Sequence, residues 1–122
     1  MKRAEAAGID LIGSNPGPAN IAMGLSTLEE KSHMVLFTTG PGNSFVSLLA
    51  PTVKLSANAV ACRELTEQID FDASGILTGE TTFDDATKAL LEQMMDVASG
   101  AYTFGEILGE GDETISRNGE TL

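Results

Sequence analysis

The run His33-Met34-Val35-Leu36-Phe37-Thr38 is cut off at once by Thr39-Gly40-Pro41-Gly42-Asn43-Ser44, and that juxtaposition narrows the folds open to this chain. A short apolar run bounded by a Gly-rich loop reads as a strand covered on both faces, the pattern of a parallel sheet. Pro51 leads into a second short strand, Thr52-Val53-Lys54-Leu55-Ser56-Ala57, which ends at Asn58. Ala59 to Gln68 then reads as a helix with Val60, Cys62 and Leu65 apolar. Strands that end in polar loops and lead into helices predict an α/β domain with a mainly parallel, Rossmann-like sheet flanked by helices. Ligands of such sheets sit at the strand C-termini, which puts Thr38 to Ser44 and Asn58 on the candidate functional edge.

The segments around this pair of strands are less regular. Met1 to Ala7 are strong helix formers with Gly8 as a stop, and Ile9 to Ile12 suit a short extended piece. In Asn15-Pro16-Gly17-Pro18-Ala19-Asn20 the prolines lack N–H donors and restrict the residues before them, so a rigid loop is expected. Ser26-Thr27-Leu28-Glu29 fits a capping box that opens a helix. That helix has only Glu29 to Ser32 left before the strand begins, with no stop signal between them. The Ser32–His33 junction is therefore suspect: either residues are deleted there, or two segments meet across unobserved chain. Phe45 to Ala50 reads as a helical turn or a packed loop, and Ile69 to Gly75 as a loop holding two carboxylates. The clearest helix runs from Phe83 to Ser99, capped by Thr82 and stopped by Gly100, with Phe83, Ala86, Leu90, Met94 and Val97 as its buried stripe. The tail from Tyr102 onward is rich in Gly and Glu, and Glu113 to Arg117 suits an edge strand.

Length and charge remove several functions. The 122 residues fit one domain. Eighteen acidic residues against seven basic ones give a net charge of −11, a surface that repels phosphate backbones and excludes nucleic acid as a partner. An anionic ligand meets the same repulsion, so its site needs backbone N–H groups, a lysine or a metal ion. With no tryptophan and one tyrosine, the core is expected to be built from Leu, Ile, Val, Ala and Met. A single cysteine, Cys62, permits neither an internal disulfide nor a Cys-rich metal site. No apolar run approaches the length of a membrane span, and Met1-Lys2-Arg3 is followed by Ala and Glu rather than a signal core. No membrane partner and a cytoplasmic location are therefore expected.

Individual residues carry competing readings. In Thr38-Thr39-Gly40-Pro41-Gly42-Asn43, successive N–H groups and hydroxyls suit a carboxylate, although a plain strand-to-helix turn has the same composition. It has neither the Gly-Lys-Ser/Thr of a Walker loop nor dinucleotide spacing. Glu29, Glu30 and Lys31 are chemically able to hold a metal and shuttle a proton, or are solvated charges in a first helical turn. His33 suits a strand-boundary residue better than a ligand. Asp70 and Asp72, two apart, suit a cation or a loop that satisfies its own N–H groups. Lys54, inside a strand that is mostly buried, must pair, snorkel or act on a substrate. Cys62 suits core packing.

Taken in order, Asn15-Pro16-Gly17-Pro18-Ala19-Asn20, Gly24 to Ser32, Val35-Leu36-Phe37-Thr38-Thr39-Gly40-Pro41-Gly42, Pro51-Thr52-Val53-Lys54, Ile69-Asp70-Phe71-Asp72-Ala73 and Asp96 to Gly100 resemble successive signature blocks of the altronate/galactarate dehydratase family. That family also includes the large subunit of sulfolactate sulfo-lyase. The likeness spans nearly the whole chain, with Ala19 where the pattern has Gly and Pro41 where many members carry Arg. It implies a single domain, 1–122, that is the C-terminal part of a larger enzyme and too incomplete to catalyse alone, with the family's longer stretch absent at the 32/33 junction. It implies a hydro-lyase that converts a sugar acid to a 2-keto-3-deoxy acid with a divalent metal, Fe2+ or Mn2+, whose ligands the sequence leaves unassigned. The roles it implies are catalysis for Glu29, Glu30 and Lys31, and substrate binding for Asn15, Asn20, Thr38, Thr39, Gly40, Gly42, Asn43 and Lys54. As partners it implies a small anionic sugar acid, further copies in a homo-oligomer, and a small β-rich domain or subunit. Carbon–sulfur lyase chemistry on sulfolactate, or a non-catalytic fragment that binds acidic metabolites, are the other readings open at this point.

Overall fold

The computed structural model describes residues 33–111. The expected helix at Ser26, the Ser32–His33 junction and the tail strand at Glu113 to Arg117 lie outside the described residues. Three strands form one all-parallel sheet in the order β1 (Val35–Thr38), β2 (Thr52–Ser56), β3 (Phe71–Asp72). Val35 pairs with Thr52 and Thr38 with Leu55, while Leu55 and Ser56 pair with Phe71 and Asp72. A parallel pair needs a crossover of about a dozen residues or more, usually helical. Here residues 39–51 make the first crossover with no helix at all, so Phe45 to Ala50 is the packed loop of the two readings. The second crossover is α1 (Ala59–Glu64) and the turns after it. After β3 come α2 (Ser74–Thr78), the long α3 (Phe83–Ala98) and α4 (Phe104–Leu108).

Burial follows position in the sheet. Central strand β2 has partners on both sides, and Thr52, Val53 and Lys54 are fully buried. β1 starts at Val35 rather than His33 and is only half-buried, with Thr38 exposed. The continuous apolar run had predicted a strand covered on both faces; at the edge of the described sheet it lacks a neighbour on one side. His33 is exposed.

Alternation along β2 separates two environments. Val53 and Leu55 point to one face. The helix α1 also packs against β2, and Ala61, Cys62 and Ile69 form a core cluster flanked by Leu65 in which neither Val53 nor Leu55 takes part. Thr52, Lys54 and Ser56 point to the other face, a buried row of polar side chains each of which has a partner in the 39–51 crossover. The Ser47 amide donates to Thr52 Oγ1 at 3.0 Å. Lys54 Nζ donates to the Asn43 carbonyl at 3.2 Å, and Ser56 Oγ to the Gly40 carbonyl at 3.3 Å. The crossover thus runs back along the strand, stitched at every second residue. Phe37, level with Lys54 in the register, meets Phe45 of the same crossover with ring centroids 5.6 Å apart.

Several sequence expectations change here. α1 stops at Glu64 rather than Gln68: Leu65 leaves helical geometry at φ −116° and ψ 44°, and the Gln68 and Ile69 amides turn back to its carbonyl. Ile69 to Gly75 is not a loop: Phe71-Asp72 is a short strand that β2 recruits through backbone pairing, which no local propensity signals. The Gly- and Glu-rich tail begins with helix α4, which Thr103 and Glu106 open with a reciprocal capping box and Gly109 closes at φ +67°. In α3, Thr82 caps the helix as expected, and Ala86, Leu90, Met94 and Val97 turn inward. Phe83, in the first turn, is 71% exposed and drops out of the stripe. The fully buried apolar set is Val, Ala, Ile and Cys; no leucine or methionine belongs to it among the described residues.

Candidate active-site cleft

The strand C-termini converge on an open cleft of about 730 Å³. Thr38, Thr39 and Gly40 form one wall, Leu55 to Ala59 the floor, and Ala73, Ser74, Leu77 and Thr78 the facing wall. It lies at the carboxyl ends of the parallel strands, the end at which ligands of such sheets bind. Its size falls in the range of small-molecule sites.

Each wall is held by local chemistry. The Gly42 amide donates to Thr39 Oγ1 at 3.1 Å, which folds the loop tightly and leaves the Thr39 hydroxyl proton without a partner among the described residues. The Thr38 hydroxyl, exposed at the end of β1, likewise has no partner there. Gly42 sits at φ +100°, and a Cβ on it would lie 2.2 Å from Leu65 Cδ1. Gly40 needs neither freedom, because nothing stands within 4 Å of the corresponding Cβ position. Across the floor, Ser56 Oγ donates to the Gly40 carbonyl and accepts from the Asn58 amide at 3.1 Å, tying the loop to the start of α1. Asn58 caps α1 through Oδ1, which accepts from the Val60 and Ala61 amides.

Of the expected substrate-binding residues, Thr38, Thr39 and Gly40 come together on the cleft. Gly42, Asn43 and Lys54 stand behind it, shaping the loop rather than lining the opening. Asn43 Oδ1 accepts from the Phe45 amide at 2.7 Å. The Lys54 ammonium reaches the Asn43 carbonyl and, at 3.3 Å, the Glu110 carboxylate. Asn15, Asn20, Glu29, Glu30 and Lys31 lie outside the described residues. Asn58, placed on the functional edge as the polar residue ending a strand, does line the cleft, whereas Ser56, Ser74, Leu77 and Thr78 were not singled out from sequence as ligand-facing. The loop reading ended at Gly75 and assigned no element to Ile76 to Thr78, which hid the facing wall that α2 forms.

The two aspartates bind backbone. Asp70 Oδ2 accepts from the Lys54 amide at 2.8 Å, its Oδ1 from the Phe104 amide at 2.7 Å, and its carbonyl from Gln93 Nε2 at 2.9 Å. One residue therefore joins β2, α3 and α4. Asp72 Oδ1 accepts from the Ser74 amide at 2.8 Å, and its hydrogen bonds with Ser74 hold the carboxyl below its ordinary range. Burial pushes the Cys62 thiol up, with the neighbouring Asp72 carboxylate adding to it. Cys62 Sγ points at the Ser56 carbonyl, 3.4 Å away, beneath the floor.

Among the described residues no group of His, Cys, Asp and Glu side chains is placed to hold a metal ion. The cleft lining carries no ionised side chain either. What this surface offers is hydroxyls and backbone polar groups beside the apolar Leu55 and Leu77, an arrangement able to bind and orient a small polar molecule. No helix among the described residues is long and apolar enough to cross a membrane.

Comparison with known proteins places this geometry. The family model described as D-galactarate/altronate dehydratase, C-terminal, matches residues 32–121. Subunit beta of (2R)-sulfolactate sulfo-lyase from Chromohalobacter salexigens is 37% identical over 81 residues, covering 66% of this chain and 21% of that protein. Altronate dehydratase of Escherichia coli is 32% identical over 126 residues, covering 99% of this chain and 24% of that protein. Galactarate dehydratase (L-threo-forming), also from Escherichia coli, is 31% identical over 75 residues, or 61% and 14%. The chain thus spans about a quarter or less of the curated relatives it matches. With its match running from before β1 to beyond α4, the chain belongs to the D-galactarate/altronate dehydratase family of lyases and corresponds to its C-terminal part.

Proposed function

We propose that this chain supplies the sheet-edge wall of the active site in a hydro-lyase that dehydrates a sugar acid of the altronate or galactarate type to a 2-keto-3-deoxy acid. The observation that carries the reading is the convergence of Thr38, Thr39 and Gly40 on one face of the cleft, with two hydroxyl protons uncommitted there. A hydroxylated acid carries acceptor oxygens along its whole length, and threonine hydroxyls suit them. The sheet is read as a portion of a larger doubly wound, Rossmann-like one.

Dehydration requires removal of a proton next to the carboxylate and protonation of the departing hydroxyl, after which the enol rearranges to the ketone. No acid or base stands on the described lining. Those roles fall to Glu29, Glu30 and Lys31, which lie outside the described residues. The described residues do not fit the divalent ion that the family resemblance implies. Its ligands would come from outside them, and the work of Thr38, Thr39 and Gly40 is binding and orientation. A soluble, cytoplasmic oligomer with a companion β-rich domain fits this reading.

Elimination of sulfite from sulfolactate is the second reading. It is favoured by the 37% identity to the sulfo-lyase subunit, the highest among these relatives. Both readings are tested by incubating the complete enzyme of which this chain is the C-terminal part with altronate, galactarate and (2R)-sulfolactate, separately, and following keto-deoxy acid and sulfite. Keto-deoxy acid from a sugar acid supports dehydration, whereas sulfite from sulfolactate alone replaces it with the second reading. Thr38→Val and Glu30→Gln are expected to slow turnover at least about tenfold, the scale of one lost hydrogen bond or proton-transfer group. Rates equal to those of the parent protein would remove those residues from the site.

A further inference from the structure

We propose that Lys54 is a positioning residue for the cleft. With Glu110 it latches the Gly-rich crossover, so that docking of the segment after α4 sets where Thr38, Thr39 and Gly40 stand. The role rests on reading that cleft as the ligand site.

Lys54 lies in the middle of the central strand with a side chain 0% exposed, while Glu110 retains 28%. Burying an ammonium costs several kcal/mol, and an apolar residue of similar size is often the more stable choice at such a place. A lysine there is explained by what its charge holds. The ammonium bridges two pieces of chain far apart in sequence, the Asn43 carbonyl and the Glu110 carboxylate. The segment around Glu110 is itself seated on the same crossover. A Cβ on Gly105 would lie 2.4 Å from Val46 Cγ2, and one on Gly111 would lie 2.2 Å from Leu48 Cδ2, so both glycines allow the backbone to press flat against it.

The crossover is therefore clamped between the polar face of β2 and the α4 segment, with Lys54 as the charged link through the clamp. Asn43 follows Gly42 directly, and the Gly42 amide fixes the Thr39 hydroxyl. A shift at the Asn43 carbonyl thus passes to the cleft wall through three residues of chain and one hydrogen bond. Ser56, holding the Gly40 carbonyl, is the second anchor. Lys54 differs from it in depending on a partner that the C-terminal segment must deliver.

The test compares Lys54→Met, Lys54→Arg and Glu110→Gln with the parent chain by amide hydrogen exchange, read peptide by peptide. Lys54→Met is expected to speed exchange in residues 40–45 about tenfold more than in α1 and α3, and Glu110→Gln to speed the same residues less. Lys54→Arg, which keeps the charge, should restore protection. In parallel, KM for the sugar acid is expected to rise about tenfold in Lys54→Met with kcat nearly unchanged, and to return in Lys54→Arg. Uniform loosening of the whole chain, or unchanged exchange at 40–45 in Glu110→Gln, overturns the latch; the glutamine variant decides if Lys54→Met fails to fold. If the complete parent enzyme turns over none of the three acids, the proposed reaction falls. The exchange pattern then still judges whether Lys54 and Glu110 hold the loop.

Discussion

Gly42→Ala separates the two glycines of the crossover by a measurable amount. At φ +100° an alanine lies outside the left-handed well near +57°, a strain of about 1–3 kcal/mol. Its methyl would stand 2.2 Å from Leu65 Cδ1, where two carbons rest at about 3.5–4.0 Å, so Leu65 must move. Leu65 is packed on the cluster of Ala61, Cys62 and Ile69, and forced repacking of that kind costs about 1–3 kcal/mol. Against this, alanine restricts the unfolded chain and returns about 0.4–1 kcal/mol. The net loss is about 1–6 kcal/mol, centred near about 3. Urea unfolding with a slope of about 2 kcal/mol/M would show the central value as a midpoint lowered by about 1.5 M. Gly40→Ala is the control: it meets no atom within 4 Å and its φ is not positive, so it should stay within about 1 kcal/mol of the parent chain. Adding Leu65→Ala to Gly42→Ala should cost less than the two changes summed, because the collision is gone while the backbone strain stays. If Gly42→Ala and Gly40→Ala unfold at the same urea concentration, the assignment of Gly42 to loop geometry is refuted.

Two further outcomes are expected. Asp70→Ala removes the acceptor of the Lys54 and Phe104 amides together and should destabilise the chain by about 1.5–4.5 kcal/mol, since the Lys54 amide left unpaired in the buried strand costs about 1–3 and the exposed Phe104 amide, free to turn to water, about 0.5–1.5. Asp70→Asn keeps one acceptor oxygen and should lose about half as much; equal urea midpoints for Asp70→Ala and the parent would remove Asp70 as the joint between β2 and α4. For Asp72, hydrogen bonds in the folded state lower the carboxyl pKa, so the stability it contributes is present above its unfolded pKa of about 3.9 and is lost as pH falls through the lower folded value. Asp72→Asn should therefore flatten the fall of the thermal midpoint below about pH 4; an acid limb as steep as the parent's would exclude that contribution.

The α/β class and the parallel order were legible because they rest on patterns the backbone obeys locally. These were a capped α3, two apolar runs ended by polar loops, and Gly100 as a stop at φ +106°. What escaped was set by partners distant in sequence. Phe71-Asp72 is a strand because β2 offers Leu55 and Ser56 to pair with, and nothing in Ile69 to Gly75 announces it. Phe83 has the right spacing for the α3 stripe and still faces water, since spacing fixes a face but not how far along the helix its neighbour extends. The α4 helix did carry a sign, Thr103 three residues before Glu106, which the surrounding glycines masked.

The same division runs through the candidate site. A Gly-rich loop after a strand marks where a ligand would sit, and Thr38, Thr39 and Gly40 do stand on the cleft. Composition alone does not tell a residue that touches a ligand from one that shapes the loop, because both tasks select glycine and small polar side chains. Gly42 is required by its own backbone and by Leu65, Asn43 is taken up by the Phe45 amide, and Lys54 spends its charge on Asn43 and Glu110. The polar row Thr52, Lys54 and Ser56 accounts for the difference. With an apolar face on β2, the crossover's inward carbonyls and amides would lie buried without partners, at about 1–3 kcal/mol each. A helix-free crossover satisfies only part of its own backbone, so the central strand must supply the remainder, and the wall of the cleft inherits its position from that strand.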